Sequence, residues 1–200
     1  MPPNKKPSTG LRERKKARTI AAVQQHALRL FRENGYQETT VEQIAAAAEI
    51  SQSTFFRYFP TKEDVLIIDN YDPIMIEAFE KQPPELSPLD AIRNAFISGV
   101  DDMTEEEIKT MRERIQVVMS IPELRAASVN NMLTTMNMIT DQVAKRLGRN
   151  KNDWGVQVLA GAVVGVCASV MLHYAQHPES DFKELLLDAL SKLESGLPVG

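Results

Sequence analysis

The chain carries a single cysteine, Cys167, in 200 residues. One thiol excludes an intramolecular disulfide and a cysteine-rich zinc site, and it suits a reducing cytoplasm. Cys167 lies in an apolar stretch, where an inert buried thiol is expected rather than a nucleophile. The N-terminal MPPNKKPSTG is polar and has no apolar run, so no secretory signal is read there. The longest apolar run, Val158 to Leu172, covers 15 residues. That is short of the roughly 20 residues of a membrane-spanning helix, it lacks basic flanks, and no membrane partner is expected. There is no Gly-rich phosphate loop, no G-x-S-x-G and no usable Ser–His or Cys–His pairing, so neither a cofactor nor catalysis is expected. His173 and His177 stand four apart, a spacing a metal can use, but no third ligand is evident and no metal is assigned. Beyond Pro84 there is no alternating strand pattern either.

Acidic residues are scarce where basic ones gather. Residues 1–62 hold 11 Lys and Arg against 5 Asp and Glu, a net +6, whereas residues 63–200 hold 12 against 22, a net −10. The net charge of −4 hides this split. A basic third on an acidic body is the footprint of a nucleic-acid-binding module attached to something else. It speaks against a small helical enzyme with an incidental basic end, and against an interaction scaffold.

The centre of the basic part is Thr40–Leu66, TVEQIAAAAEISQSTFFRYFPTKEDVL. Val41, Ile44, Ala45 and Ala48 make one apolar helix face, and the small alanines allow another helix close approach. Thr40 with Gln43 three residues on is a capping-box pattern. Ile50 fits a buried turn. Ser51 can cap a second helix, Gln52–Phe59, with Phe55 and Phe59 turned inward, and Pro60 ends it. Thr61 can cap the next helix, with Glu63 and Asp64 near its positive end. Two short helices packed through alanines around a tight turn make a helix-turn-helix, whose second helix enters the DNA major groove. No acidic residue occurs from Ile50 to Lys62.

This stretch resembles the DNA-binding domain of TetR-family transcriptional regulators. The resemblance rests on Thr40, Ile44 and Ala45, on Ile50-Ser51 at the turn, on Ser51-x-x-Thr54, on Phe55-Phe56-Arg57-Tyr58-Phe59, and on Lys62-Glu63. It covers residues 18–66, about a third of the chain, and the rest matches only in helix order. The expected fold is therefore all-α: an N-terminal three-helix DNA-binding domain and a C-terminal six-helix ligand-binding and dimerisation domain. Residues 1–18 are expected to be a basic flexible arm, 19–66 the DNA-binding domain and 67–200 the second domain. In the arm, Arg14, Lys15, Lys16 and Arg18 suit phosphates or a minor groove. Gln52, Ser53 and Thr54 open the recognition helix, and Arg57 points outward to guanine or phosphate. Thr40, Ser51, Tyr58 and Lys62 are placed for phosphates. Phe56 stands where many members have Tyr, and it lacks that hydroxyl.

Helix one is expected over Thr19–Asn34, with Ile20, Val23, Ala27, Leu30 and Phe31 on one face and Gly35 as its stop. A fourth helix runs from Thr61, kinked or broken at Asp72-Pro73. Others follow from Ser87-Pro88, from Thr104, and, after a break at Ile121-Pro122, through Met132–Leu147. The last two are Trp154–His177 and Phe182–Leu193. That makes about nine.

Nine methionines are many, and Met is adaptable where ligands vary in shape. By family analogy a pocket is expected among helices four to eight, lined by Met75, Phe79, Phe96, Met103, Met111, Met119, Met132, Met136 and Trp154, though Met at helical spacing also suits plain core. Arg93, Arg112 and Arg114 suit either an anionic ligand group or the surface. The Trp154–His177 helix, apolar nearly all round and rich in small residues, calls for burial on every side, which a second subunit supplies. The resemblance implies a four-helix bundle of this helix and the last with their copies. Its interface would use Val158, Gly161, Ala162, Gly165, Ser169, Leu172, His173, Leu186 and Leu190. The expected function is a cytoplasmic, homodimeric DNA-binding regulator, a repressor released from a palindromic operator by a small molecule. An activator or a ligand-independent regulator has the same sequence signature.

Overall fold

The computed structural model describes residues 11–68 and 72–197, with side chains over 19–68 and 75–197. Every regular element among the described residues is a helix. The chain divides into two compact units between Ile68 and Asp69. Met1–Gly10, expected to be disordered, lies outside the described residues.

The first unit holds α1 (Leu11–Asn34), α2 (Val41–Ala47), α3 (Gln52–Tyr58) and α4 (Asp64–Ile67). α1 starts eight residues before the expected Thr19, so Leu11–Arg18 is helix rather than flexible arm. The reason is propensity: Leu, Arg, Glu, Lys and Ala favour helix, and no Gly or Pro intervenes between Gly10 and Gly35. Gly35 stops the helix at φ +87°. Val23, Ala27, Leu28 and Phe31 of α1 are buried with Ile44, Ala45, Phe55, Phe59, Val65 and Leu66. Each large side chain there removes enough apolar surface from water to contribute roughly 1.5–3 kcal/mol. Gln24 Nε2 donates to the Ile68 carbonyl at 2.9 Å, tying α1 to the end of α4.

The caps form where the sequence places them. Thr40 Oγ1 accepts from the Gln43 amide while Gln43 Oε1 accepts from the Thr40 amide. Ser51 Oγ accepts from the Thr54 amide. Phe59 is extended before Pro60 and ends α3. Thr61 and Asp64 bond reciprocally, side chain to amide, across the turn into α4. Between α2 and α3 the chain turns through Glu49 at φ +54°, a left-handed conformation disfavoured for any residue with a Cβ.

The second unit holds α5 (Asp72–Glu80), α6 (Pro88–Asp101), α7 (Glu105–Ser120), α8 (Pro122–Leu147), α9 (Trp154–Gln176) and α10 (Phe182–Glu194). The expected fourth helix is therefore two elements, α4 and α5, and the count among the described residues is ten instead of nine. The first ends earlier than the expected break at Asp72-Pro73: Ile68 is already extended, and Asp72-Pro73 instead open α5, where a proline that cannot donate to a preceding turn fits. One core joins α5, α6, α8 and α9 through Phe79, Ile92, Ala95, Val143, Val156 and Val163, and a second joins α9 and α10 through Val170, Leu186 and Leu190. Cys167 packs against both. Burial pushes its thiol up to about 12, the inert thiol expected.

α9 has two faces. Val156, Ala160, Val163, Val170 and Tyr174 are buried, while Trp154, Val158, Gly165, Ser169 and Leu172 are exposed on the other side. Within one chain, then, it is not surrounded as expected. At 23 residues it is also long and apolar enough to cross a bilayer by length and composition, because Gln157 and His173 bound the apolar run without ending the helix.

Candidate nucleic-acid interface and effector cavity

Helix α3 presents an outward face. Ser51, Gln52, Ser53, Phe56 and Arg57 are exposed and Thr54 and Tyr58 half-buried, while Phe55 and Phe59 face in. Phe56 is 49 % exposed, a costly position for a large apolar ring unless something covers it, and it leans edge-on against Phe55 at 5.5 Å. Arg57 Nη2 reaches the Tyr58 hydroxyl at 3.4 Å, and its guanidinium lies 5.0 Å from that ring's centre, so the two act as one projecting unit. Ser51 Oγ lies 2.9 Å from Ser53 Oγ and donates to Thr54 Oγ1 at 3.0 Å, pre-ordering the N-terminal turn. Thr40 is exposed at the start of α2. Arg14, Lys15, Lys16 and Arg18 fall on the first turns of α1, and their side chains lie outside the described ones.

Lys62 departs from its expected role. Its ammonium points inward, donating to the carbonyls of Tyr36 at 2.9 Å and Thr39 at 3.1 Å, with the Tyr36 ring centre 3.9 Å away. Those carbonyls, at the end of the α1–α2 turn, hold the ammonium by charge-assisted hydrogen bonds. Tyr36 also donates its hydroxyl to Glu63. Burial pushes the Glu63 carboxyl up, but the Tyr36 hydroxyl, the residue's own amide, Thr61 and the Lys62 charge outweigh it and hold it below its ordinary value. Thr39, not singled out in the sequence, is fully buried and donates to the Gly35 carbonyl at 2.8 Å. The segments Tyr36–Thr39 and Lys62–Glu63 thus clasp one another and fix how α3 is presented.

The second unit contains a cavity of about 90 Å³ between α5, α6 and α8, lined by Met75, Ile76, Phe79, Ile92, Ala95, Phe96, Thr135, Met138, Ile139, Gln142 and Val143. Met75, Phe79 and Phe96 are thus placed as expected. Met103, Met111, Met119, Met132 and Met136 do not line it, and Trp154 is 77 % exposed at the start of α9. The reason is geometric: α7, which carries Met111 and Met119, packs against α8 and α9 away from this gap, and Met136 is turned to Gly161 on α9. The arginines are committed elsewhere. Arg93 pairs with Asp90 and Glu194, both at 2.6 Å, and Arg112 Nε donates to the buried Tyr174 hydroxyl at 2.9 Å. Arg146 donates to the carbonyls of Gln82, Pro83 and Leu86 and lies over the Phe79 ring, holding the α5–α6 loop at one end of the cavity. Gln142, Met138 and Ile139 were missed because a position on α8 names its face only once the neighbouring helices are known.

On the expected dimer face, Val158, Gly165, Ser169, Leu172 and His173 are exposed and Ala162 half-buried. Leu186 and Leu190 are not available: they are 5 % and 1 % exposed, spent on the chain's own contact of α10 with α9. Gly161 is likewise turned inward, 3.7 Å from Met136 Sδ if it carried a Cβ. His173 and His177 stack at 4.5 Å, and no cluster of three metal-ligating side chains occurs among the described residues.

Two family models match this architecture unit by unit. One, described as bacterial regulatory proteins of the tetR family, takes residues 25–67, and one described as the MftR C-terminal domain takes residues 86–198. The chain belongs to the TetR family. It is a DNA-binding transcriptional regulator. The regulator is 38 % identical over 112 residues to TcmR of Streptomyces glaucescens, a match covering 55 % of this chain and 50 % of that one, so it aligns with about half of TcmR's length. It is 26 % identical over 197 residues to MftR of Mycobacterium tuberculosis, named for transcriptional regulation of mycofactocin biosynthesis, over 92 % and 93 % of the two chains. Among solved structures, Thermus thermophilus FadR, a TetR-family repressor in complex with lauroyl-CoA, superposes with a TM-score of 0.55 at 24 % identity, covering 90 % of this chain and 96 % of that one. At that identity the likeness is one of fold.

Proposed function

We propose that the regulator is a cytoplasmic homodimeric repressor, without catalytic activity, that leaves a palindromic operator when a small molecule fills the α5–α6–α8 cavity. The observation that carries the DNA part is the outward face of α3, where polar and basic side chains and one exposed aromatic ring stand with no acidic residue from Ile50 to Lys62. Gln52, Ser53, Thr54 and Arg57 read base edges, while Thr40, Ser51 and Tyr58 seat phosphates. Phe56 packs on sugar or a thymine methyl. Residues 11–18 bring their basic side chains to the backbone as the first turns of α1. Lys62 serves by holding the clasp rather than by reaching out.

The exposed face of α9 supports the dimer. Val158, Gly165 and Leu172 recur every seven residues, and Val158 and Leu172 are 50 % and 47 % exposed. A stripe of that kind is stable in water only when covered, and a second copy covers it self-complementarily about a two-fold axis. A dimer presents two recognition helices about 34–36 Å apart or somewhat more, in successive major grooves. Sedimentation at micromolar concentration tests this: a dimer for the wild type and a folded monomer for Val158→Glu support it, and a wild-type monomer overturns it. The FadR complex with lauroyl-CoA gives precedent within the fold for control by a ligand with a long apolar part.

A further inference from the structure

We infer that the effector is a neutral, mostly apolar molecule that donates a hydrogen bond to Gln142, and that Gln142 sets its specificity. The inference rests on the reading of the α5–α6–α8 cavity as the effector site. Nine of its eleven lining residues are apolar, and the two polar ones, Thr135 and Gln142, are uncharged. No cation is among them: Arg146, one turn on from Gln142, lies outside the lining, its Nη1 and Nη2 serving three backbone carbonyls while its buried Nε has no partner among the described residues. Gln142 Oε1 is buried without a hydrogen-bond partner among the described residues. Native proteins rarely leave such an acceptor unmet, because its desolvation is not repaid. Gln142 sits on α8 between Ile139 and Val143, both cavity residues, so nothing apolar around it can answer the need. Its terminal amide torsion is soft, so the oxygen can swing toward a ligand hydroxyl or N–H at little cost.

A site built around such a group rejects a ligand that lacks the donor far more strongly than one that lacks a methylene. The test uses isomeric probes on the full chain by calorimetry near neutral pH: 1-octanol, 1-methoxyheptane and octanoate. The alcohol and the ether have the same atoms and differ in the donor; the carboxylate adds charge. The alcohol should bind about tenfold or more tighter than the ether, and octanoate weaker than the alcohol. Gln142→Met, similar in size but with no amide, should bring alcohol and ether together. The wild-type comparison needs no variant and decides the matter even if Gln142→Met misfolds. Equal affinity for alcohol and ether, tighter binding of octanoate, or a preference that survives in Gln142→Met would each overturn the inference. Operator binding followed in the same samples separates the two readings. An alcohol preference with no operator release would leave Gln142's role standing and sink the effector site, and no binding by any probe would sink both.

Discussion

Lys62→Met should destabilise the DNA-binding unit without changing how the regulator reads phosphate charge. The substitution keeps the apolar stem and removes the ammonium. Two hydrogen bonds go with it, to the Tyr36 and Thr39 carbonyls at 2.9 and 3.1 Å, together with a cation stacked 3.9 Å from the Tyr36 ring centre. Hydrogen bonds from charged donors contribute roughly 1.5–3 kcal/mol each when buried. Lys62 is only half-buried, so water recovers part of that for the stranded carbonyls. A loss of about 2 kcal/mol is the expectation, read as a lower urea midpoint at unchanged m-value. Operator affinity measured against salt gives the second reading. Each phosphate neutralised contributes about 0.9 to the slope of log affinity against log salt, so losing one in each copy of the proposed dimer would flatten the slope by about 1.8. An inward ammonium predicts a changed midpoint and an unchanged slope. A wild-type midpoint with a slope flattened by about two would refute the inward placement.

The neighbouring Tyr36→Phe should cost stability at neutral pH by removing the hydroxyl that Glu63 accepts. Because the Glu63 carboxyl is depressed in the folded state, its contribution is present above the ordinary carboxylate value and fades as pH falls through the folded one. The gap between wild type and Tyr36→Phe in thermal unfolding should therefore close in acid; a gap constant with pH would contradict the link. Glu49→Gly should stabilise the chain by about 1 kcal/mol, since glycine adopts φ +54° without the Cβ penalty; a destabilised variant in urea unfolding would show the turn to be unstrained. Gly99→Ala would place a Cβ 2.6 Å from Met75 Sδ, a flexible side-chain end that must move. Met75 lines the cavity, so 1-octanol affinity should fall several-fold while thermal stability changes little; unchanged affinity by calorimetry would mean Met75 relaxes elsewhere.

Much of the DNA-binding unit was legible because its instructions are local. A cap such as Thr40 with Gln43, a stop such as Pro60 and an inward pair such as Phe55 and Phe59 act within one helical turn, so spacing alone locates them. The start of α1 was misread because the charge of Leu11–Arg18 suggested an arm, while the helix-forming tendency of the same residues decided the backbone. Lys62 was misread because its partner carbonyls, on Tyr36 and Thr39, lie more than twenty residues away. The cavity was hardest. Met75 and Met111 are alike in type and helical setting, yet only α5 borders the gap between α6 and α8. Leu186 and Leu190 show the same limit: they were assigned to an interface between copies, whereas the chain's own α9 takes them.

Sequence-specific DNA binding through α3 is the property on which the rest depends. It is tested most directly by fluorescence anisotropy with DNA from upstream of the regulator's own gene, or with a sequence selected from random DNA, against scrambled duplex at two salt concentrations. Tight, salt-sensitive binding that beats scrambled DNA by a factor of about a thousand is expected. Equal affinity for selected and scrambled DNA, or no binding even at low salt, would contradict it.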